Sequence, residues 1–578
     1  MKSGLCFFAA LAVIFLSSSF ASSARGVTPP DPGGGSTSFV KYVGSTAGDL
    51  WSVPANWLDE NNTHRTPTTN DDIYIGAAAG TNTTDDLSII AEYLDFYQGS
   101  NFLTISGGNQ LVIFPSTSPG ISVASGASAF ITVTGPGSVL QLNGTASADG
   151  VALELDSGGK LSISSLSSSG ASIGSLQGTS GTVDLGAKTL TVGGLNTFTN
   201  YNGIITGTGG SLTKVGTGAL TLGDANTYSG ATSINAGTLA INDNAGLGTS
   251  ALTIGQTGSS NSATFTINTF GTINVANNIT VSSLASGAAA SINSFSGPSS
   301  GSNQLTGNVT LNGTVIVNTV APAANPLAFT GTISGNGGVT INPTSAGYTG
   351  AVSFTGANTY NGNTTVNGGT LFANNSTGSA TGNGSVIVNS GATLGGAGTM
   401  SGLVSVNSGA SLAPGFNGTG ILHVGNAALT TPSLLLGGTL SLELGGVTAG
   451  SGYDQVITAT GATLSGNLTL TLVNGFRPMM GEKFYIIDET SSDPTLRTTG
   501  SFANAPGGVI MDNAGDTYDI FYAGISDPNN PSTIPNDVTL IAVNVVPEPS
   551  TWMLLLVGCA SLVVGGLRRM RSVAGGKD

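Results

Sequence analysis

The sequence predicts an all-β protein whose central part is a solenoid of stacked β coils. Hydrophobic residues make up 39% of the chain, which is enough to offset the entropy lost on folding. They occur in short alternating runs such as "ALTL", "SVIVN" and "LSLEL", separated by Gly or Asn, with few stretches of helical period. A longer β segment also occurs twice. These observations favour coils that bury their apolar sides by stacking on one another.

The N-terminal segment has the order of residues expected of a secretory signal peptide. Lys2 precedes an apolar run over 5–16, and the small residues Ala21 and Ala24 follow this run. A buried N-terminal helix is the alternative, but the rest of the chain offers no helical partner for it. We therefore predict a signal helix at 1–24 and a Pro/Gly-rich linker at 25–38.

The next segment, 39–115, is predicted to form an N-terminal cap module. Charged and aromatic residues concentrate here, including Trp51 and Trp57 and acidic pairs at 59–60, 71–72 and 85–86. An uncovered solenoid end would pair with another chain, so we expect the tryptophans to seal the first coil. The alternative is a sugar or Ca²⁺ site built from the two tryptophans and the acidic pairs.

The solenoid itself is predicted over 116–436. Segments 220–243 and 352–375 coincide at 11 of 24 positions without a gap. Alternate apolar residues should point inward and Thr and Ser outward, while Gly and Asn form corners where stacked amides bond from coil to coil. The best copies span 207–243 and 331–375. Their motif residues are Asn226, Thr227, Tyr228, Gly230, Gly237, Thr238 and Leu239 in the first copy, and Asn358, Thr359, Tyr360, Gly362, Gly369, Thr370 and Leu371 in the second.

The stretch 210–241, "GSLTKVGTGALTLGDANTYSGATSINAGTLAI", resembles the autotransporter-associated β-strand repeat. This resemblance implies a right-handed parallel β-helix like that of many bacterial surface passengers. A true autotransporter also carries a C-terminal transmembrane barrel, and too few residues follow the repeats here for such a barrel. We therefore expect the repeat to serve as a borrowed building block.

The C-terminal part is predicted to hold a closing β module at 437–545 and a sorting segment at 546–571. The sorting segment has three parts. An apolar run at 551–567 is preceded by Val546, Pro547, Glu548 and Pro549 and followed by Arg568, Arg569 and Arg571. The run predicts a single transmembrane helix with the arginines on the cytoplasmic side. A plain tail anchor and a lipid-anchor signal are alternatives.

These three parts, in this order, resemble the PEP-CTERM sorting signal of Gram-negative bacteria. The resemblance implies that an exosortase-type enzyme processes the chain at Pro547, Glu548 and Pro549. It also implies a membrane stage on the way to the cell envelope, the cell surface or the extracellular matrix.

Charge and residue usage argue against most catalytic chemistry. The net charge of −15 with only 7% charged residues excludes a basic nucleic-acid binder. Cys6 and Cys559 lie in the terminal apolar runs, and His64 and His423 are far apart, which disfavours Cys and His metal sites. The segment 244–442 contains no Asp, Glu, Lys or Arg, so carboxylate catalysis is impossible there. We predict no catalytic, cofactor or metal site.

The remaining charged cluster lies upstream of this neutral segment. It consists of Asp149, Glu154, Asp156 and Asp184 with the cations Lys160 and Lys188. We interpret the cluster as a solvated face of early coils. The alternative is a β-helix enzyme acting on polysaccharide, which would need these acids on one face.

The function predicted from the sequence is that of a noncatalytic exported surface or matrix protein. A rigid neutral stalk would act in adhesion or in association with exopolysaccharide through many weak contacts. An ice-binding protein is a further alternative, suggested by Thr-rich strands such as "TFTIN" and "LTLTL". That function would need a flat, regular Thr-x-Thr face, and the motif is scattered in the sequence.

Overall fold

The computed structural model describes residues 38–43, 49–76, 81–115, 120–268, 271–295, 301–342, 348–491, 493, 495–522 and 537–546. In this part the chain is all-β, with one short 3₁₀ turn at Pro54–Asn56. The coils form a solenoid of about 16 turns. The predicted signal helix, the apolar run 551–567 and the three arginines lie outside the described residues. No helix within them is long and apolar enough to cross a membrane.

Two long sheets run along the stack, each with its strands in chain order. The first contains Asp49–Leu50, Thr81–Asp85, Ser100–Ile105, Ser128–Thr134, Ala148–Asp156, Gly170–Gln177, Thr189–Val192, Ser211–Lys214, Thr232–Ile234, Leu252–Ile254, Ile279–Val281, Val309–Leu311 and Ile333–Gly335. The second contains Thr199–Tyr201, Ala219–Leu222, Gly237–Ile241, Ala263–Asn268, Ala290–Phe295, Val315–Thr319, Val339–Ile341, Thr364–Val366, Val386–Val388, Val404–Val406, Leu434–Leu436, Ala462–Leu464 and Thr499–Gly500.

Four shorter sheets complete the coils. Two of them belong to the N-terminal half, namely Phe39–Tyr42, Trp57–Asp59, Asp72–Ile75, Tyr93–Phe96 and Ile121–Val123, and then Ile89–Ala91, Gln110–Ile113, Val139–Leu142, Lys160–Ser162, Thr182–Asp184 and Ile204–Thr206. The other two are Asn274–Val275, Gln304–Leu305, Leu327–Phe329, Ala351–Phe354, Gly369–Ala373, Ala392–Gly396, Ser411–Pro414, Thr439–Leu444 and Asn467–Leu472, and then Thr399–Met400, Ile421–Val424, Gln455–Thr458, Lys483–Glu489, Val509–Met511, Thr517–Tyr522 and Val538–Asn544.

The core is a file of aliphatic and aromatic side chains that stack from coil to coil. Because side chains alternate across a strand, every second residue points inward, and parallel pairing places these residues directly above one another. The longest file comprises Leu220, Leu239, Phe265, Ile292, Val317, Ile341, Val366, Val388, Val406, Leu436 and Leu464. All are buried. The prediction of stacked parallel β coils is thereby confirmed, whereas the handedness stays a prediction.

Both ends of the stack depart from pure parallel pairing. At the N-terminal end Phe39–Tyr42 pairs antiparallel with Trp57–Asp59, and Trp51 packs edge-on against Trp57 at a ring-centroid distance of 5.2 Å. At the C-terminal end Val538–Asn544 pairs antiparallel with strands on both sides. Antiparallel strands cannot continue a coil, so the regular parallel stacking stops at these two sheets.

Candidate binding surface

The asparagine of the repeat motif connects three successive coils. Asn358 is buried, and its Oδ1 accepts the backbone N–H of Ile333 at 2.7 Å while its Nδ2 donates to the carbonyl of Ala380 at 2.5 Å. Asn226 makes the same two contacts with the preceding and following coils, both at 2.7 Å. Ile333 and Ile205 lie in the last strands of their sheets, so the amide continues the hydrogen bonding beyond the sheet end and satisfies backbone groups that would otherwise be buried without partners.

The motif tyrosine is an internal packing residue. Tyr228 donates to or accepts from Thr232 at 2.6 Å, and Tyr360 forms the equivalent pair with Thr364 at 2.5 Å. Both rings are fully buried, so each hydroxyl needs an internal partner, and the threonine four residues later supplies it. Burial raises the pKa of Tyr228 to about 12, so this phenol stays neutral.

The other motif residues have structural roles as well. Gly237 and Gly369 adopt positive φ angles of 69° and 65°, and a Cβ on Gly369 would lie 2.0 Å from the carbonyl oxygen of Gly350. Cβ atoms at Gly230 and Gly362 would also collide with the neighbouring coil. Further along, Leu239 and Leu371 point into the core, Thr227 and Thr359 are exposed, and Thr238 and Thr370 are partly exposed. The motif therefore maintains coil stacking and does not assemble a ligand site.

Asparagine side chains also form ladders on the outside of the stack. Asn389 donates to Asn367 at 2.7 Å, and Asn407 donates to Asn389 at 2.8 Å. These amide-to-amide bonds confirm the prediction that stacked asparagines connect coils. Each of these bonds uses one N–H of one amide and the oxygen of the next. The asparagine amides of the ladder therefore keep further hydrogen-bonding capacity for solvent or a ligand.

The N-terminal tryptophans are not exposed for sugar stacking. Trp51 and Trp57 are both 0% exposed. Among the acids, Asp71 is held by the Arg65 guanidinium at 2.5 and 2.8 Å. Burial alone would raise the pKa of Asp71, but hydrogen bonds from Arg65, Ser38 and Thr68 bring it below its ordinary value. This geometry favours the cap interpretation of the tryptophans over a sugar site. Across the described part of the chain, no three His, Cys, Asp or Glu residues lie close enough to hold a metal.

The charged cluster at 149–184 is spread over two sheets. Asp184 pairs with Lys160 at 2.8 Å in one sheet. Glu154 lies in the other sheet, where it accepts from Thr132 and Gln177 at 3.2 Å. Two more acids lie in the same strand as Glu154: Asp149 is exposed and accepts from Ser147, and Asp156 accepts from Thr179. Lys188 donates to the carbonyl of Ser168. This arrangement fits a solvated face, as interpreted from the sequence.

Of the sorting segment, Val546 alone belongs to the described residues. Its backbone N–H donates to Asp516 Oδ1 at 2.7 Å, and its side chain is exposed. The C-terminal sheet thus holds the chain up to this point. Pro547, Glu548 and Pro549 lie beyond the described residues, together with the arginines of the tail.

The outer face of the first long sheet carries a feature that the sequence did not reveal. Parallel pairing aligns eight hydroxyl residues in one file, with one residue from each successive coil: Ser172, Thr191, Thr213, Ser233, Thr253, Thr280, Thr310 and Ser334. We call this file the hydroxyl ladder. Each member is at least partly exposed, because the residues on either side point inward. Neighbouring strands lie about 4.8 Å apart, which sets the spacing of the rungs.

The hydroxyl ladder continues onto a surface without charge. Its last four coils fall in the segment 244–442, which contains no Asp, Glu, Lys or Arg. At the corner after the ladder, a groove of about 590 Å³ crosses four coils. We call it the corner groove; its polar lining is amide and hydroxyl, contributed by Ser282, Ser283, Asn312, Thr314, Asn336, Thr340, Asn363 and Thr365. The ladder and the corner groove together form the candidate binding surface.

Comparison with known families identifies the repeat. The family profile described as passenger-associated-transport-repeat matches residues 212–241 and 348–371, which are the two motif copies. The matches cover a small part of the chain and show that these coils are similar to repeats of transported passengers. They support the resemblance to autotransporter-associated β-strand repeats and agree with export. No curated protein matches the chain.

Proposed function

We propose that this protein is a noncatalytic exported β-helical stalk that associates with exopolysaccharide at the cell surface or in the extracellular matrix. The observation that carries the proposal is the hydroxyl ladder, which leads into a charge-free surface over successive coils. Hydroxyl and amide groups exchange hydrogen bonds with sugar hydroxyls as readily as with water, so each contact is weak. Once one contact along the rigid stalk has formed, the others form at a high effective concentration, so many weak contacts give a strong overall association.

Affinity electrophoresis of the full chain tests this function. We expect retardation in gels that contain dextran, galactomannan or methylcellulose, and no loss of retardation between low and high salt, since neutral contacts are not screened. Replacing Thr253, Thr280 and Thr310 together by Val removes three rungs but keeps their shape, and should reduce retardation. Thr393→Val, Thr439→Val and Thr469→Val together, on another sheet, form the matched control. Unretarded migration of the wild type in every gel contradicts the proposal.

The proposal includes export and sorting through the two ends of the chain. The signal peptide would direct secretion, and the tail would be processed by an exosortase-type enzyme after a single-pass membrane stage. The resemblance of 546–571 to a PEP-CTERM signal supports this route. Mass spectrometry of the C-terminal peptide, combined with cell fractionation, tests it. We expect a cut tail in the wild type and an uncut, membrane-bound tail in Glu548→Ala.

Ice binding is a second candidate, favoured by the same ladder. A straight file of hydroxyls with a fixed spacing can match a crystalline lattice, and the structure contains such a file where the sequence indicated scattered motifs. Thermal hysteresis and the shape of ice crystals grown with the protein distinguish the two candidates. Ice shaping without polysaccharide binding would favour the second.

A further inference from the structure

The corner groove exists because corner lengths change abruptly along the stack. The corner at 282–289 separates Ile279–Val281 from Ala290–Phe295 and is eight residues long. The corners of the next two coils, 312–314 and 336–338, are much shorter. A long corner beside short ones makes a step, and the groove lies in the angle of this step, where Leu284 forms part of its wall.

Glycines form the floor of the corner groove. A Cβ on Gly337 would lie 2.0 Å from the carbonyl oxygen of Gly313, and a Cβ on Gly362 would lie 2.5 Å from the carbonyl carbon of Gly337. Backbone therefore stacks directly on backbone at this corner, and no side chain fills the space above it. The same glycines that allow close stacking leave the groove open.

The groups on the rim are available to a ligand. Asn312 and Thr314 are exposed, and within the described part of the chain their side chains make no hydrogen bond to protein. Asn336 accepts from Asn361 at 2.9 Å, which leaves its amide N–H groups free and fixes its orientation. Asn312 and Thr314 on one coil and Asn336 on the next thus present donors and acceptors on two neighbouring coils, which lie about 4.8 Å apart.

The charge and polarity of the groove select the class of ligand. No Asp, Glu, Lys or Arg occurs between 244 and 442, and His423 is not among the residues that line the groove, so a uronate, sulfate or phosphate would lose water without gaining a counter-charge. The apolar lining is confined to Leu284, Ala288 and Ala290, which is too little to bind a lipid or an aromatic ligand. The volume of about 590 Å³ is within the range of small-ligand sites.

We infer that the corner groove is a specific site for a segment of a neutral polysaccharide chain. The inference rests on the proposed function, which it deepens by assigning one site and one class of sugar. Asn312 and Thr314 on one coil and Asn336 on the next bond to sugar hydroxyls, and Leu284 packs against the apolar face of a sugar ring.

Titration of the purified full chain with neutral hexasaccharides tests this site. The probes are maltohexaose, cellohexaose, laminarihexaose and mannohexaose, with hexagalacturonate as the anionic counterpart. We expect at least one neutral hexamer to bind saturably by calorimetry and hexagalacturonate not to bind. Asn312→Trp, at an exposed position, fills the groove and should weaken binding at least tenfold. Thr393→Trp, on a sheet away from the groove, should stay within twofold of the wild type.

The outcomes separate this inference from the proposed function. If dextran or galactomannan retards the wild type but no hexamer binds, or if Asn312→Trp binds as the wild type does, the groove site is refuted and the stalk function stands. Equal binding of hexagalacturonate also refutes the site. If no neutral polymer retards the wild type, the proposed function itself fails.

Discussion

Replacing the motif asparagine Asn358 by Ala tests the central structural claim, that one amide connects three coils. The change removes the bonds to Ile333 N–H at 2.7 Å and to the Ala380 carbonyl at 2.5 Å. Each of these backbone groups is left buried without its partner, which costs about 1–3 kcal/mol, so we expect a loss of about 2–6 kcal/mol. Asn361→Ala, which removes two exposed amide bonds, to Asn336 and from Asn383, should cost at most about 0.5 kcal/mol.

Native-state hydrogen exchange is the appropriate assay, because a solenoid loses stability locally and a single unfolding free energy is poorly defined. Peptides that contain Ile333 and Ala380 should lose at least about 30-fold of their protection in Asn358→Ala, since about 2 kcal/mol corresponds to that factor. Peptides that cover Thr189–Val192, many coils away, should be unchanged. Wild-type protection at Ile333 in the variant would refute the reasoning, as would an equal effect of Asn361→Ala.

Three further predictions concern buried polar groups. Tyr360→Phe should reduce the hydrogen-exchange protection of the peptide that contains Thr364 by about 5- to 150-fold, the equivalent of about 1–3 kcal/mol in local opening free energy, because the Thr364 hydroxyl loses its partner, and adding Thr364→Val should restore most of the loss. Tyr228→Phe should cost less, since its threonine keeps a second bond to a carbonyl at 3.4 Å; equal costs would contradict this. Burial raises the pKa of Asp85 to about 7, so the stability that this carboxyl contributes should fall as the pH rises from about 4 to 7. Asp85→Asn should therefore flatten the dependence of the urea midpoint on pH. Burial lowers the pKa of Lys214 to about 8, so stability should rise from pH 8 to about 10.5, and Lys214→Met should abolish the rise; an unaltered slope would show that the amine titrates normally.

The coil type and its core followed from local patterns. The sequence predicts that alternate apolar residues point inward, and Leu220, Leu222 and Ile234 are examples that the structure buries, because alternation along a strand is a property of the backbone itself. The motif asparagine and tyrosine were recognised from the repeat, but their contacts were not. Asn358 bonds to residues 22 and 25 positions away, and such partners are fixed only when coils stack.

The candidate binding surface could not be read from the sequence for the same reason. Along the hydroxyl ladder, coil lengths vary from 19 residues, between Ser172 and Thr191, to 30 residues, between Thr280 and Thr310. Variable corners absorb these differences, so hydroxyls at irregular spacings in the chain arrive in one straight file. Because these hydroxyl residues are irregularly spaced along the chain, sequence periodicity does not indicate the hydroxyl ladder.

The sequence by itself determined the short strands, the aliphatic interior, the glycine and asparagine corners and the absence of charge over 244–442, because these are matters of residue type and local alternation. The tertiary structure decided the register, and with it the hydroxyl ladder and the corner groove. The physical reason is that inward side chains lock each strand above the last, whereas corners of any length that can close the coil are allowed.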